Sequence, residues 1–137
     1  MASQVGGDLL RLVKFQVTAG ANLPAKTFVN LDGTLPNSAA VCTGGVTVTD
    51  VASGDIVEIN LPPSIVAVYA AGTVTAGLMV EGLQASISSN INGALTAVTG
   101  TGVQNVSSGY PLGRALTSGV AGDTVQVNLS VSQVKLV

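Results

Sequence analysis

Alternating apolar and polar residues run through most of this chain, and stretches with the spacing of an amphipathic helix are almost absent. Successive side chains of a β-strand point to opposite faces, so each alternating run predicts a strand with one buried face. The clearest runs cover residues 10–17, 26–31, 46–51 and 55–61. Shorter candidates cover residues 95–98, 103–106, 112–116 and 124–129, and residues 131–137 are either a last strand or a tail. The pattern therefore predicts an all-β protein.

Two segments depart from this alternation. Residues 65–69 are apolar throughout, which predicts a strand covered on both faces. Residues 83–91 could form a helix, but their Ser-Ser-Asn content favours a loop.

The turns between the predicted strands are rich in glycine. Most of the 17 glycines fall between the apolar runs, where they supply the positive φ angles that tight turns require. Many short strands with closely spaced turns predict a small single-domain β-sandwich, jelly-roll-like, or a β-barrel. We assign residues 9–137 to a single β domain, since 137 residues suit one domain. Residues 1–8 are small and polar, and they predict a flexible N-terminal arm.

One segment of the sequence is echoed later in the chain. Residues 45–61 align without a gap to residues 113–129, an offset of 68. In both copies a Gly-Asp pair precedes an alternating strand: Gly54-Asp55 and Gly122-Asp123. We predict that these four residues form structural turns and that the aspartates fix the turns and are not catalytic. The echo indicates pseudo-symmetric sheets, unless it is a chance similarity in a sequence rich in Gly, Val and Thr.

Histidine is missing from the chain and cysteine occurs once. The chain has no histidine, which excludes histidine-based nucleophilic sites and removes the usual zinc ligand. Cys42 is the only cysteine, so no intrachain disulfide can form, and we expect a buried, inert thiol. The sequence therefore predicts a protein that is not an enzyme and has no catalytic residues, no cofactor and no metal.

Charge is scarce and scattered. Only 9% of residues are charged, against 47% hydrophobic, so much of the surface consists of small uncharged residues that are easily desolvated. The five basic residues form no stripe, which argues against direct nucleic-acid binding. The apolar runs are too short to cross a membrane, and the first residues lack the pattern of a signal peptide. We expect synthesis in a cytoplasm.

Four pieces of the sequence occur in a familiar order. They are residues 23–33, residues 45–59, residues 68–77 and residues 110–127. Together they resemble the head decoration proteins of tailed bacteriophages, the capsid-cement family, over residues 20–130. Residues 83–108 have no counterpart in that resemblance.

The resemblance implies a structural virion protein, made in the host cytoplasm, on the outer surface of an icosahedral capsid. There it would bind the major capsid protein and cement neighbouring copies. It also implies self-association, for which we favour a homodimer because two-fold contacts are the commonest closed symmetry, with a homotrimer as the alternative. Two other functions stay open. One is another β-rich assembly subunit, of a tail, fibre or pilus. The other is a carbohydrate-binding β-sandwich, which the absence of Trp weakens.

The beginning of the chain is the predicted contact with the shell. Residues 1–8 cannot bury enough apolar area to order themselves. An arm followed by an edge strand can bind a capsid loop by strand addition, in which main-chain hydrogen bonds supply the affinity. We therefore expect residues 2–17 to bind the major capsid protein, with Leu9, Arg11 and Lys14 in the contact and the two basic side chains facing acidic groups. The alternative is a frayed tail followed by an ordinary core strand.

Overall fold

The computed structural model describes residues 13–36, 44–107 and 110–130, and this part of the chain forms nine β-strands and no helix. The prediction of an all-β fold is confirmed. The strands are β1 (Val13–Thr18), β2 (Phe28–Asn30), β3 (Gly44–Thr47), β4 (Ile56–Leu61), β5 (Ile65–Tyr69), β6 (Met79–Ile91), β7 (Ala94–Asn105), β8 (Gly113–Ala115) and β9 (Thr124–Leu129).

All nine strands belong to one curled sheet. Its order is β1-β4-β3-β2-β7-β6-β8-β9-β5, and the named strands pair antiparallel. A parallel bridge between Ala70 and Val103 brings the end of β5 back to β7. The half of the sheet from β7 to β5 therefore curls round on itself, whereas β1 stays at the other end of the order.

The sheet contains an internal duplication that is more extensive than the sequence echo. The first repeat consists of residues 13–30 and 45–61, and the second repeat consists of residues 64–81 and 113–129. Residues 13–30 correspond to residues 64–81 at an offset of 51, and residues 45–61 correspond to residues 113–129 at the offset of 68 given above. The matching strands are β1 and β5, β2 and β6, β3 and β8, and β4 and β9. Strand order is therefore mirrored about β7, and the inserted β6–β7 hairpin lies where the repeats meet.

Pairing registers agree between the repeats to the residue. Thr47 lies opposite Ile59 in the first repeat, and Ala115 lies opposite Val127 in the second. The turns agree as well. The amide of Gly54 donates to the carbonyl of Ala19, and that of Gly122 donates to the carbonyl of Ala70, both at 2.8 Å. Such agreement in backbone bonding shows a structural repeat and not a chance likeness of composition.

Each repeat has its own core, built largely from equivalent positions. In the first repeat the core includes Ala19, Leu23, Val29, Val57 and Ile59. In the second it includes their counterparts Ala70, Val74, Val80, Val125 and Val127. The alternation along β4 and β9 thus directs one side chain in two inward, and all four of these are buried: Val57, Ile59, Val125 and Val127.

The two repeats do not pack through identical faces. Phe28 and Val46, on β2 and β3 of the first repeat, are buried within the core of the second. Their counterparts in the second repeat are Met79 and Arg114, and Arg114 is exposed. The first repeat therefore covers the second, while the corresponding face of the second repeat carries a charge and meets solvent.

Two expectations about local structure were wrong. Residues 83–91 are not a loop but most of β6, which pairs along its whole length with β7. Asn92 and Gly93 connect these strands with φ angles of 55° and 79°. Both angles are positive, as a two-residue hairpin turn of type I′ requires, and Asn-Gly is its preferred sequence. The shorter candidates at 95–98 and 103–106 are parts of the single strand β7.

The apolar strand β5 is covered on one face only. Val66 and Val68 are buried, whereas Ile65 and Ala67 are exposed. The expected two-sided burial is wrong because, among the described residues, no layer packs against the face of β5 that points away from the core of the second repeat.

A buried charge at the core of the second repeat should unfold the protein. Val125 is 1% exposed, and aspartate there would be desolvated without a partner. We expect Val125→Asp to lower the free energy of unfolding by about 3 kcal/mol or more, measured by urea denaturation. Gln126→Asp, at the exposed neighbouring position, is the control and should change stability by less than about 0.5 kcal/mol. Equal effects of the two substitutions would contradict the assignment of faces.

Candidate functional site

Lys14 is the one predicted contact residue that the structure describes. Leu9 and Arg11 lie outside the described residues, as does Cys42. The Lys14 side chain is mostly exposed on β1, and its Nζ lies 3.0 Å from Oε1 of Glu58 on the adjacent strand β4. An exposed ion pair of this kind contributes little to stability, so Lys14 can exchange this carboxylate for another at small cost.

The two Gly-Asp pairs lie in equivalent turns. Gly54 and Gly122 have φ angles of 92° and 99°, which only glycine adopts readily. At Asp123 the carboxylate Oδ2 accepts a bond from the amide of Val120 at 2.9 Å, which fixes the turn. Asp55 is exposed and contributes through its main chain, whose carbonyl accepts from the amide of Ala19. The Gly54-Asp55 turn therefore lies next to the C-terminal end of β1, away from Lys14.

Strand β1 forms an open edge of the sheet. Among the described residues it pairs with β4 alone. The side chain of Phe15 is 42% exposed, although its counterpart Val66 in the second repeat is only 4% exposed. Sequence alternation places Phe15 on the core face together with Val13 and Val17, and the register against Ile59 agrees. Its exposure is therefore not due to the direction of the side chain, and within the described part of the chain no segment covers it.

The covering of Val66 shows what Phe15 lacks. Val66 belongs to the cluster that contains Phe28 of the first repeat. The main chain of β5 also bonds to the first repeat, since the amide of Tyr69 donates to the carbonyl of Lys26 at 2.8 Å. At β5 the second repeat is thus met by β7, through the bridge between Ala70 and Val103, and by Lys26 of the first repeat, while no described residue takes that role at β1.

The ladder between β1 and β4 determines which backbone groups face the open side. The amide of Ala19 donates to the carbonyl of Asp55, and in an antiparallel ladder hydrogen-bonded pairs recur at every second residue. Phe15 and Val17 therefore bond to β4, and the N–H and C=O groups of Lys14 and Gln16 point away from it. Beyond them the edge is closed, because a Cβ on Gly33 would lie 2.1 Å from the carbonyl oxygen of Thr18. Residues 13–17 are the accessible part.

A second exposed surface is the ribbon, the part of the β6–β7 hairpin formed by residues 82–100. The chain carries no charged residue between Glu81 and Arg114. Ile87, Ile91 and Val98 are buried on one face of the ribbon, whereas Leu95 near its tip is 77% exposed. The ribbon is thus a two-stranded, uncharged projection with one buried face.

Asp50 fastens the ribbon to the first repeat. Its Oδ1 accepts from the amide of Ala25 at 2.7 Å, and its Oδ2 accepts from the amide of Asn90 on the ribbon at 3.0 Å. The counterpart of Asp50 is Ser118, whose hydroxyl accepts from the amide of Ala76 at 2.8 Å. A serine is sufficient to hold the turn, so the second carboxylate oxygen of Asp50 serves the ribbon. Sequence reasoning missed this role.

The remaining polar groups of the described chain are structural. Glu81 is buried, and its Oε2 accepts from Gln104 Nε2 at 3.1 Å and from Ser107 Oγ at 2.9 Å. No cluster of three or more His, Cys, Asp or Glu residues suited to a metal occurs in residues 13–36, 44–107 and 110–130. A helix that could span a membrane is likewise absent from these residues.

Replacing Asp50 by the residue of the second repeat should loosen the ribbon selectively. Asp50→Ser retains an acceptor for Ala25 but leaves the amide of Asn90 without its carboxylate partner, at a cost of roughly 1–2 kcal/mol. We expect faster hydrogen exchange at Asn90 and neighbouring ribbon amides, measured by NMR, with little change in the β4 amides. Asp55→Ser, an exposed acid in the same connection, is the control. Unchanged protection at Asn90 would show that Asp50 does not hold the ribbon.

Comparison with known proteins places the fold. No protein-family model and no curated protein sequence matches the chain. Among solved structures, the crystal structure of the head fiber gp8.5 N base of bacteriophage phi29 is similar to it. The likeness covers 91% of this chain and 99% of that chain with a TM-score of 0.55, at 18% sequence identity. The all-β architecture described above is therefore shared with the base of a phage head fibre.

Proposed function

We propose that this chain is a structural protein of a phage virion that binds the outer surface of the capsid and cements neighbouring major capsid proteins. The observation that carries the proposal is the fold shared with the phi29 head fibre base over nearly the whole chain. That protein belongs to a phage head by its description. The capsid-cement resemblance of residues 20–130 supports the same location independently.

The surface of the protein suits binding to a large, regular partner. Few charges have to be desolvated, since charged residues make up only 9% of the chain. Nine large apolar side chains are exposed among the described residues, including Phe15 on the open edge and Leu95 on the ribbon. Such surfaces gain from burial against a protein, and they lack the clustered basic residues that a nucleic acid would require.

The contact with the major capsid protein involves residues 2–17 in this proposal. Leu9 supplies apolar area, while Arg11 and Lys14 face acidic groups of the shell. Lys14 can take part because its partner within the chain, Glu58, is a partly exposed carboxylate that water can solvate when the ion pair separates. The protein associates with itself as it binds, as a homodimer in preference to a homotrimer.

A second candidate function is the base of a head fibre. The same structural likeness favours it, since the similar chain is itself the base of such a fibre. Electron microscopy of the native particle distinguishes the two. A cement protein forms low protrusions that join adjacent capsomers, whereas a fibre base carries an elongated extension above each protrusion.

Removing the arm should weaken binding without unfolding the protein. A chain lacking residues 2–8 keeps every described strand, so its melting temperature should match that of the full chain. We expect its affinity for DNA-filled capsids that lack this protein to fall about tenfold, which corresponds to about 1.4 kcal/mol. Co-sedimentation over a concentration series measures it.

A matched control separates the sequence of the arm from its length. A variant with residues 2–8 replaced by a Gly-Ser segment of equal length should bind as weakly as the deletion. Full affinity of the deletion would remove the arm from the contact. Failure of the full chain to bind these capsids at all would contradict the proposed function itself.

A further inference from the structure

Among the described residues, strand β1 carries an apolar side chain that is uncovered although its counterpart in the second repeat is buried. Phe15 and Val66 occupy matching sites, yet only Val66 is buried, and it is buried by another part of the same chain. The open stretch, residues 13–17, presents apolar side chains on one face and outward-pointing main-chain groups along its edge. A strand that pairs with this edge would meet both requirements.

We propose that the strand that covers β1 is β1 of a second copy, paired antiparallel about a two-fold axis at Phe15. The inference deepens the self-association in the proposed function and rests on that part of it. The two sheets then form one continuous sheet across the axis, so the β1 edge is occupied in the dimer and the capsid contact of the proposed function falls to the residues before β1 and to the Lys14 side chain. Lys14 and Gln16 of one copy lie opposite Gln16 and Lys14 of the other, and each pair exchanges N–H···O bonds.

The sequence of β1 complements itself in this register. On the core face Phe15 lies opposite Phe15 of the second copy, and Val13 lies opposite Val17. On the other face each Lys14 lies opposite an uncharged Gln16, so no like charges are directly opposed. Aromatic and aliphatic pairs of this kind stabilise antiparallel pairing, and the half-exposed rings cover one another.

Neighbouring registers are worse. The outward-pointing groups of Lys14 and Gln16 allow three centres, because these residues must face each other for hydrogen bonds to form. A centre at Lys14 opposes two ammonium groups. A centre at Gln16 brings Thr18 against Lys14, where Gly33 already lies beside the Thr18 carbonyl. Only the centre at Phe15 satisfies both the charges and the available space.

This pairing closes and does not propagate. A two-fold contact uses the same edge of both copies, so it ends with two chains. At the other end of the strand order, part of the outer edge of β5 is already occupied, because the amide of Tyr69 donates to the carbonyl of Lys26 in the first repeat. The contact at β1 therefore joins two chains and no more.

Cysteine cross-linking tests the register directly. Directly opposed residues of a non-hydrogen-bonded pair bring their Cα atoms to about 4.5 Å, within the range of a disulfide. In a Cys42→Ser background, Phe15→Cys should oxidise to a covalent dimer on a non-reducing gel, whereas Lys14→Cys and Val17→Cys should form little. Equal cross-linking at the three positions, or none at position 15, would overturn the proposal.

A proline at Gln16 tests the edge by another route. Gln16→Pro removes an N–H that points away from β4, so it leaves the β1–β4 bonds in place, as proline on an edge strand can. We expect the dimer dissociation constant, measured by sedimentation equilibrium, to rise about tenfold or more. Gln16→Thr keeps the N–H and should behave as the natural chain. Unchanged association of the proline variant would contradict strand pairing.

These measurements need no capsid, so they separate this inference from the proposed function. If the chain dimerises through Phe15 but does not bind capsids, the result supports the inference and contradicts the cementing role. A chain that stays monomeric at all concentrations overturns the inference. If Gln16→Pro then abolishes capsid binding, the edge receives a strand of the capsid protein.

Discussion

The burial of Phe28 and Val46 in the core of the second repeat is the contact on which the rest of the arrangement depends. These side chains point away from the core of the first repeat and complete that of the second. The same contact brings Lys26 to β5, where its carbonyl accepts from the amide of Tyr69.

An asymmetry between the repeats follows from that contact. Each repeat has one face that can cover the other repeat, at Phe28 and Val46 in the first repeat, and one face that needs a cover, at Val66 in the second. Within one chain only the first repeat covers the second. The covering face of the second repeat carries Arg114 on its exposed side, which does not favour stacking of a further repeat. The face to be covered in the first repeat, at Phe15, is left apolar. The unsatisfied face is thus the one suited to a partner.

The ribbon lies at the junction of the two repeats. Strand β7 pairs with β2 of the first repeat and with β6 of the second, and it therefore joins the halves of the sheet. The bond from Asn90 to Asp50 ties the free part of the hairpin to the first repeat. A two-stranded ribbon is marginal by itself, and these attachments supply the support that it needs.

Local pattern predicted most of the strands, because alternation is a direct consequence of burying one face of a sheet. Strand β9 begins and ends where the alternation of residues 124–129 does. The β6–β7 hairpin could also have been predicted, since Asn92-Gly93 is a strong hairpin signal between two pairable segments. The weight given to Ser and Asn as loop formers hid it.

The alternation of apolar and polar residues could not predict properties that depend on contacts between distant segments. Nothing local distinguishes Phe15 from a core residue, because its exposure depends on whether a distant segment covers it. The first half of the duplication was hidden for a related reason. Lys26 and Gly77 are equivalent and both have positive φ angles, yet their side chains have nothing in common. Equivalence there lies in the backbone and not in residue type.

The link between the repeats also affects how strong their mutual contact has to be. Only residues 62–64 separate β4 from β5, so the two halves can hardly move apart. Joining two binding surfaces by a short tether gives them an effective concentration of roughly millimolar or above. A modest apolar contact, too weak to hold two separate chains together, can therefore hold the repeats in one arrangement. The two repeats thus resemble two subunits that are covalently fused. Without the short connection, an interface between free subunits would need far more buried area to be equally stable.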